Sequence, residues 1–262
     1  MSKPKVLITG ASSGIGAVYA DRFAKRGHDL VLVARDQARL DALAERLRDQ
    51  TGESVEVVRA DLATEANIAA VETRLRDDAT IGVLINNAGL SIAGSFDTQP
   101  SADLARLVAV NATAVMRLAH AVAPRFVAAG EGAIVNLGSV VGFVPEFGQT
   151  VYGATKAFVL FLSQGLAYEL GPKGVYVQAV VPAATATDIW SRAGADASQI
   201  PPLMAVDALV DAALVGFDRR EGVTIPPLHD GALWDAYQAD RAAMIPGFGE
   251  TAPAPRYTET VA

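Results

Sequence analysis

The chain contains no cysteine among its 262 residues. This absence excludes disulfides, zinc–thiolate sites and a cysteine nucleophile. Histidine is scarce as well: only His28, His120 and His229 occur, far apart in sequence. Because most histidines occupy ordinary surface or core positions, this distribution disfavours a histidine metal cluster, and we predict no metal site.

Excess positive charge and long apolar runs are also missing. The formal net charge is −7, whereas nucleic acids and anionic membranes attract basic surfaces, so neither is an expected partner. No stretch of about 18 uninterrupted apolar residues occurs, which predicts no membrane span. The N-terminus, MSKPKVLITG, has no apolar leader and no small-residue cleavage pattern, so we expect no signal peptide and a cytoplasmic location.

What the chain does contain is an alternation of short Val- and Ile-rich runs with longer amphipathic segments. This rhythm is typical of βαβ units, and the continuous apolar runs indicate a parallel sheet buried on both faces. We predict one α/β domain over residues 1–226, a doubly wound sheet of about seven strands, followed by a partly irregular extension over 227–262. The expected strands are 6–9, 29–34, 55–59, 82–86, 133–137, 175–181 and 223–226, and the expected helices are 15–26, 37–50, 65–77, 101–129, 150–170 and 206–219.

A glycine-rich bend follows the first expected strand, in VLITGASSGIG at residues 6–16. Ligands of such sheets bind at the carboxyl ends of the strands, and the next helix offers free N–H groups and its positive dipole end to a pyrophosphate. Gly10 would permit the tight turn, Gly14 would let the backbone approach the ligand, and Gly16 would let the helix pack closely. A tight turn without a ligand is the alternative.

Tyr152 and Lys156 stand four residues apart in an expected helix and therefore share one face. A tyrosine hydroxyl has a pKa near ~10, and an adjacent ammonium lowers it. Such a pair can act as a general acid/base on an alcohol or ketone oxygen; ordinary surface neighbours are the alternative. Ser139, after the fifth expected strand, could hold the substrate oxygen, since LGSVV lacks the G-x-S-x-G elbow of a serine nucleophile.

These motifs together resemble the short-chain dehydrogenase/reductase family over about residues 3–190. They are the G-x-x-x-G-x-G spacing, NNAG at 86–89, VNA at 110–112, NLGS at 136–139 and YGATK at 152–156. The resemblance implies a Rossmann-like fold and hydride transfer between a ketone or aldehyde and an alcohol. It implies that Tyr152 is the acid/base, that Ser139 orients the substrate, and that Lys156 binds the ribose and tunes Tyr152. Asn111 would hold a water that completes the proton relay, a polar helix face being the alternative.

The resemblance also implies a nicotinamide dinucleotide in contact with most strand ends. Asp61 would bind the adenine amino group, with helix capping as the alternative. Thr187 would contact the nicotinamide carboxamide, although Ala183 stands where the family usually has glycine. The full set of expected cofactor contacts is Gly10, Ser12, Ser13, Gly14, Ile15, Gly16, Arg35, Asp61, Leu62, Asn87, Ala88, Gly89, Tyr152, Lys156, Pro182 and Thr187.

Cofactor choice depends on the end of the second expected strand, DLVLVARD at 29–36. A carboxylate there favours NAD and repels a 2′-phosphate, but this chain has Ala34 followed by Arg35, whose guanidinium can pair with the phosphate. Asp36 is expected to cap the next helix; if the strand ended later, Asp36 would bind the ribose and favour NAD(H). Ser13 stands where some NADP-dependent members carry a second basic residue. We predict NADP(H), with NAD(H) as the alternative.

Residues 183–205 are expected to form a substrate lid, and their apolar lining suggests a hydrophobic carbonyl compound, or only a packed lid. The lining would comprise Ile189, Trp190, Leu203 and Met204, with Val140, Val141, Phe143 and Phe147. The expected helix at 150–170 carries FVLFL at 158–162 and is apolar all round, so it should be buried on more than one side. We expect a homo-oligomer through the 101–129 and 150–170 helices, burial within one chain being the alternative.

Two other functions are compatible with the fold. A dinucleotide-binding sensor would use the fold without turnover, but it has no need of the full Ser–Tyr–Lys–Asn set. An enzyme with the same cofactor and a different reaction, such as epimerisation or dehydration, also fits. Neither the natural substrate nor the favoured direction follows from the sequence.

Overall fold

A computed structural model of the chain describes residues 3–194 and 202–258. Its seven strands form one sheet in the order β3-β2-β1-β4-β5-β6-β7, and every neighbouring pair is parallel. The chain builds outward from β1 to β3, then returns beside β1 with β4, so the strand order reverses between β1 and β4. This confirms the doubly wound, Rossmann-like sheet. The strands are β1 Lys5–Thr9, β2 Leu30–Ala34, β3 Val55–Arg59, β4 Ile81–Asn86, β5 Ala133–Leu137, β6 Tyr176–Val180 and β7 Val223–Thr224.

The helices follow the expected segments within about two residues, with three exceptions, of which one is the short α7 at Ile189–Arg192 inside the expected lid. The long helix is interrupted by a π-helical turn at Ala109–Ala114, and α9 lies in the tail expected to be partly irregular. The helices are α1 Gly14–Lys25, α2 Gln37–Thr51, α3 Glu65–Asp77, α4 Ser101–Val108, α5 Val115–Ala129, α6 Thr150–Leu170, α7 Ile189–Arg192, α8 Val206–Asp218 and α9 Ala232–Ala243.

Hydrophobic layers cover both faces of the sheet, which explains the continuous apolar strands. In β1, Val6 and Ile8 enter the layer packed by α1, α2 and α8, whereas Leu7 enters the opposite layer packed by α3, α5 and α6. Successive strand side chains point to opposite faces, so burial on both requires an apolar residue at nearly every position. Phe23 and Phe126, one in each layer, are almost completely buried.

A chain of buried amides fixes α6 to the centre of the sheet. Asn86 and Asn136 are register partners on β4 and β5, and the Asn86 Nδ2 donates to the Asn136 Oδ1 at 3.0 Å. The Asn136 Nδ2 in turn donates to the Ser163 hydroxyl on α6 at 3.0 Å. A buried polar group is costly when unpaired, so these directional bonds restrict the seating of α6, the helix that carries Tyr152 and Lys156.

The helical run Ser101–Ala129 meets the length and hydropathy criteria of a membrane span, with a mean hydropathy of 1.3. Its most apolar window is 56% buried inside the fold, and Leu118, Val122 and Phe126 belong to the core. A core helix has the same length and composition as a span, so this similarity is weak support for membrane insertion.

The chain divides into two compact units, Met1–Pro226 and Pro227–Ala262. The first holds the whole sheet. Within the second, α9 carries stacked Trp234 and Tyr237 rings, whose centroids lie 5.5 Å apart, and short 3-10 turns follow at Ile245–Gly249 and Pro255–Tyr257. The expected partly irregular extension therefore contains a three-turn helix that its Pro- and Gly-rich end did not indicate.

Candidate active site

A cleft of about 1600 Å³ lies at the carboxyl ends of the strands, where the sequence placed the site. It is lined from both sides of the point at which the strand order reverses. The expected site residues that line it are Gly10, Ser12, Ser13, Gly14, Ile15, Arg35, Asp61, Leu62, Asn87, Ala88, Gly89, Ser139, Tyr152, Lys156, Pro182 and Thr187. Gly16 and Asn111 do not line the cleft. Gly16 lies against the backbone of Gly10, and Asn111 hydrogen-bonds to the backbone of Leu90. Within the described residues, no group of three or more His, Asp or Glu is arranged to hold a metal ion.

The glycines of the first loop each meet a separate steric demand. Gly10 and Gly14 have φ of +66° and +55°, in the left-handed region that side chains other than glycine rarely adopt. At Gly16, a Cβ atom would lie 2.5 Å from both the Asn87 Nδ2 and the Gly10 carbonyl oxygen. Gly16 therefore lets α1 approach the loops that follow β1 and β4, not only the strand.

Thr9 and Asn87 join these two loops. The Asn87 Nδ2 donates to the carbonyls of Thr9 and Gly10, at 2.9 and 3.2 Å. The Thr9 hydroxyl accepts from the N–H groups of Asn87 and Ala88, both at 3.0 Å. Asn87 is expected as a cofactor contact, but it also has a structural role. It holds the loop at residues 10–16, called the glycine loop below, against the loop after β4.

The end of β2 matches the expectation for a 2′-phosphate site. The strand ends at Ala34, and Asp36 caps α2 by accepting from the Arg39 N–H at 3.1 Å. The later strand end that would have made Asp36 a ribose ligand is therefore wrong. Arg35 lies between them on the cleft wall and is exposed. These features fit a phosphorylated dinucleotide: the glycine loop has glycines with positive φ, the N-terminus of α1 lies in it, and the end of β2 carries an arginine and no carboxylate.

Asp61 is not the cap of α3, as one interpretation proposed, because that position belongs to Thr64. Its carboxylate accepts from the Ala63 N–H at 3.0 Å and from the Arg106 guanidinium at 2.8 Å. Burial alone raises the pKa of Asp61, but the hydrogen bonds from Arg106 and Ala63 outweigh it and the net pKa is lowered. An ionised Asp61 therefore stands on the cleft wall. Arg106 also lines the cleft, and sequence reasoning missed it because it pairs with a residue 45 positions away.

Ser139, Tyr152 and Lys156 meet where β5 and α6 approach each other. Ser139 follows β5 and hydrogen-bonds to the Tyr152 hydroxyl. The Lys156 ammonium lies 5.6 Å from the centroid of the Tyr152 ring and donates to the Leu137 carbonyl, the last of β5, at 2.8 Å. The two hydroxyls and the ammonium thus lie together at the cleft wall.

The pKa of Tyr152 is shifted opposite to the sequence expectation. Burial raises it, and the hydrogen bond with Ser139 opposes that rise only in part. Burial also lowers the pKa of Lys156 to about 8. The expected lowering by Lys156 is therefore wrong for this arrangement, because desolvation of both groups dominates. At neutral pH, Tyr152 is a neutral phenol that can donate its proton.

Asn111 lies in the π-helical turn and is almost fully buried. Its Oδ1 accepts from the Leu90 N–H at 2.8 Å, while its Nδ2 donates to the Leu90 carbonyl at 2.9 Å and to the Thr155 hydroxyl at 3.3 Å. The side chain thus ties the loop after β4 to α6, beside Lys156. π-Turns are frequent at functional sites, but the water relay expected of Asn111 stays a prediction.

The substrate end of the cleft is mainly apolar. Val140, Val141, Phe147, Ile189 and Trp190 line it as expected. Phe143, Leu203 and Met204, expected beside them, are not among the described lining residues. The expected lid at 183–205 includes residues 195–201, which lie outside the described chain; its described part holds α7 and a bridge between Thr185 and Met204.

Thr187 is close to the glycine loop. A Cβ atom at Gly14 would lie 3.0 Å from the Thr187 Cγ2. The Thr187 N–H donates to the Thr185 carbonyl at 2.9 Å, so a tight turn follows Pro182 and Ala183. The missing family glycine at 183 therefore leaves Thr187 at the cleft.

The model of the short chain dehydrogenase family matches residues 4–198. A very-long-chain 3-oxoacyl-CoA reductase of Bos taurus is 36% identical over 187 residues, 70% of this chain and 60% of the relative. The chain thus matches less than two thirds of the length of that curated relative.

Two solved structures resemble almost the whole chain. A short-chain dehydrogenase from Sphingobium yanoikuyae, in complex with NADPH, is 64% identical with a TM-score of 0.95, covering 97% of this chain and 99% of that one. A bulky-bulky ketone specific alcohol dehydrogenase from Comamonas testosteroni is 55% identical with a TM-score of 0.92, covering 99% of this chain and 100% of that one. Both similarities therefore include the C-terminal extension.

Proposed function

Because the chain belongs to the short-chain dehydrogenase family, we propose that it is an NADP(H)-dependent oxidoreductase that interconverts a bulky apolar ketone or aldehyde and its alcohol. The observation that carries this proposal is the Ser139–Tyr152–Lys156 group in the same cleft as the glycine loop and Arg35. The likeness to an NADPH-bound dehydrogenase and to a bulky-ketone alcohol dehydrogenase supports the cofactor and the substrate class.

A dinucleotide held by the glycine loop and Arg35 would supply the hydride, and the side chains of this chain supply orientation and the proton. Ser139 holds the carbonyl oxygen of the substrate beside the Tyr152 hydroxyl. Tyr152 donates its proton to that oxygen during reduction and takes it back during oxidation. Lys156, held by the Leu137 carbonyl, places a positive charge beside the phenol and can return the proton, since its own pKa is about 8.

The apolar lining favours apolar substrates, and the likeness to a bulky-bulky ketone specific enzyme favours large groups on both sides of the carbonyl. Apolar walls with a few convergent polar groups are typical of small-molecule sites. A panel of diaryl and long-chain ketones, short ketones and aldehydes, assayed by nicotinamide absorbance with both cofactors, tests the proposal. Turnover of bulky ketones with NADPH supports it; turnover of short substrates alone contradicts the substrate class, and no turnover of any carbonyl or alcohol contradicts the enzyme.

We expect the native enzyme to prefer NADPH over NADH in kcat/KM, with Arg35 as the main determinant. Arg35→Ala should lower the preference for NADPH by roughly tenfold, because a charged hydrogen bond to the 2′-phosphate is lost. Position 34 is alanine in both proteins, so no carboxylate there repels the 2′-phosphate. The ratio of kcat/KM for the two cofactors measures this. A native preference for NADH, or an unchanged ratio in the variant, would show that the strand end has been misinterpreted.

We also expect a homo-oligomer. On α6, Val159 and Leu160 are buried, but Phe161 and Tyr168 are 79% and 86% exposed. The helical run 101–129 of the same chain packs against α6 but leaves Phe161 and Tyr168 uncovered, and a second subunit is the expected cover for them. Light scattering at micromolar concentration should give a dimer or tetramer, and Phe161→Asp should shift it to a smaller species with the same circular dichroism spectrum. A native monomer would reject this expectation.

A further inference from the structure

A second arginine reaches the glycine loop from the lid. Arg192 is the last residue of α7, and one of its terminal nitrogens donates to the Ser13 hydroxyl at 3.2 Å and to the Asp188 carboxylate at 2.9 Å. Ser13 and Arg192 are 179 positions apart in the chain. A hydrogen bond therefore joins the described start of the lid, residues 183–194, to the loop expected to bind phosphate.

The Ser13 side chain is not engaged by its own helix. Ser13 is the N-cap of α1 with extended backbone (φ −166°, ψ 172°), and its side chain makes no capping hydrogen bond. Serine is a preferred N-cap because its hydroxyl usually accepts from the first turn. Here the hydroxyl instead accepts from Arg192, so a guanidinium stands at the N-terminus of α1, beside the glycine loop.

The charged side chains around Ser13 have a net positive charge. Asp188 accepts from Arg39 at 2.8 Å as well as from Arg192, and the Asp36 carboxylate already caps α2. With Arg35, three guanidinium groups and two carboxylates line this part of the cleft. One carboxylate shared between two arginines leaves donors for a further anion, and a guanidinium binds phosphate in a bidentate manner.

We propose that Arg192 is a specificity residue for the 2′-phosphate of the dinucleotide. This inference rests on the proposed function. A phosphate dianion near Arg35 and Ser13 draws the Arg192 guanidinium from the shared carboxylate of Asp188 and thereby holds the described start of the lid against the glycine loop. NAD(H) has no anion at this place and leaves Arg192 on Asp188.

Direct binding tests the proposal without turnover. The probes are 2′,5′-ADP and 5′-AMP, which differ only in the 2′-phosphate, titrated calorimetrically into the native enzyme and its variants. Arg192→Ala should weaken 2′,5′-ADP about tenfold and leave 5′-AMP unchanged, and Arg192→Lys should fall between. Asp188→Asn should tighten 2′,5′-ADP severalfold, because it frees the arginines that Asp188 now shares. Arg76→Ala, an exposed arginine on α3 outside the cleft lining, is the matched control.

The outcomes separate this inference from the cofactor choice itself. If Arg35→Ala weakens 2′,5′-ADP but Arg192→Ala does not, Arg192 is no specificity residue while the NADP(H) preference stands. If the native enzyme binds both probes equally, the preference itself fails. Loss of affinity for both probes in Asp188→Asn would identify the ion pairs as structural ties only, which contradicts the proposal.

Trypsin provides an independent measurement on the unaltered enzyme. NADP+ should slow cleavage after Arg192 at least severalfold more than NAD+ does at equal saturation, whereas cleavage after Arg256, in the C-terminal unit, should respond equally to both. Equal protection of Arg192 by the two dinucleotides would overturn the proposed contact.

Discussion

Replacing Tyr152 by phenylalanine is expected to lower kcat by ~100-fold or more, while the affinity for NADP+ changes little. The change removes one hydroxyl and almost no volume, and loss of a general acid/base typically costs about that factor. The hydroxyl also hydrogen-bonds to Ser139, so the substrate oxygen loses both its proton donor and part of its orientation. Single-turnover rates with a bulky ketone, together with NADP+ titration, measure the two effects separately.

Tyr257→Phe is the matched control, because it removes the same hydroxyl from an exposed tyrosine in the C-terminal unit. Its kcat should equal that of the native enzyme. If Tyr152→Phe retained more than about a tenth of kcat, the proton would come from another group and the assignment of Tyr152 would be wrong.

Replacing Gly16 by alanine should separate the two loops that form the dinucleotide end of the cleft. The added Cβ would lie 2.5 Å from a backbone oxygen, that of Gly10, and 2.5 Å from the Asn87 amide. The carbonyl cannot yield without distorting the turn at Gly10, and Asn87 is fixed by two backbone carbonyls. We expect about 2 kcal/mol lower stability, as for other overpacked sites, and at least ~10-fold weaker NADP+ binding from an equivalent distortion energy.

Chemical denaturation and NADP+ titration measure both quantities. Gly222→Ala adds the same methyl group where nothing lies within 4 Å of the new Cβ, and it should match the native protein in both. Native-like NADP+ affinity in Gly16→Ala would mean that the loops are less tightly coupled than their contacts imply.

Most of the fold could be predicted from local patterns in the sequence. Strands such as β3 and β5 could be placed to the residue, because burial on both faces of a parallel sheet leaves a continuous Val- and Ile-rich run. The glycine spacing could be interpreted because positive φ and close approach have few chemical solutions. By contrast, α9 was missed, since Pro and Gly nearby outweighed its modest helical pattern, and the π-turn around Asn111 has no distinct compositional signal.

Contacts between distant segments could not be predicted. The pairing of Asp61 with Arg106 and the reach of Arg192 to Ser13 depend on how separate loops meet above the sheet. The direction of the Tyr152 pKa shift was wrong for a similar reason: helical spacing gives the neighbour, but only the packed structure gives the desolvation that outweighs it.

Burial of Lys156 also means that this residue opposes folding. Its pKa is 10.5 in the unfolded chain and about 8 in the fold, so below pH 8 both states bind the proton and the folded state carries the full penalty. The shift corresponds to about 3 kcal/mol, which is relieved as the pH rises from about 8 to 10.5, where the unfolded chain binds more protons than the folded one. At neutral pH the fold therefore contains a buried cation, and a methionine of similar size would avoid its desolvation penalty. Selection for thermal stability alone would remove it, whereas selection for dinucleotide binding and turnover would retain it.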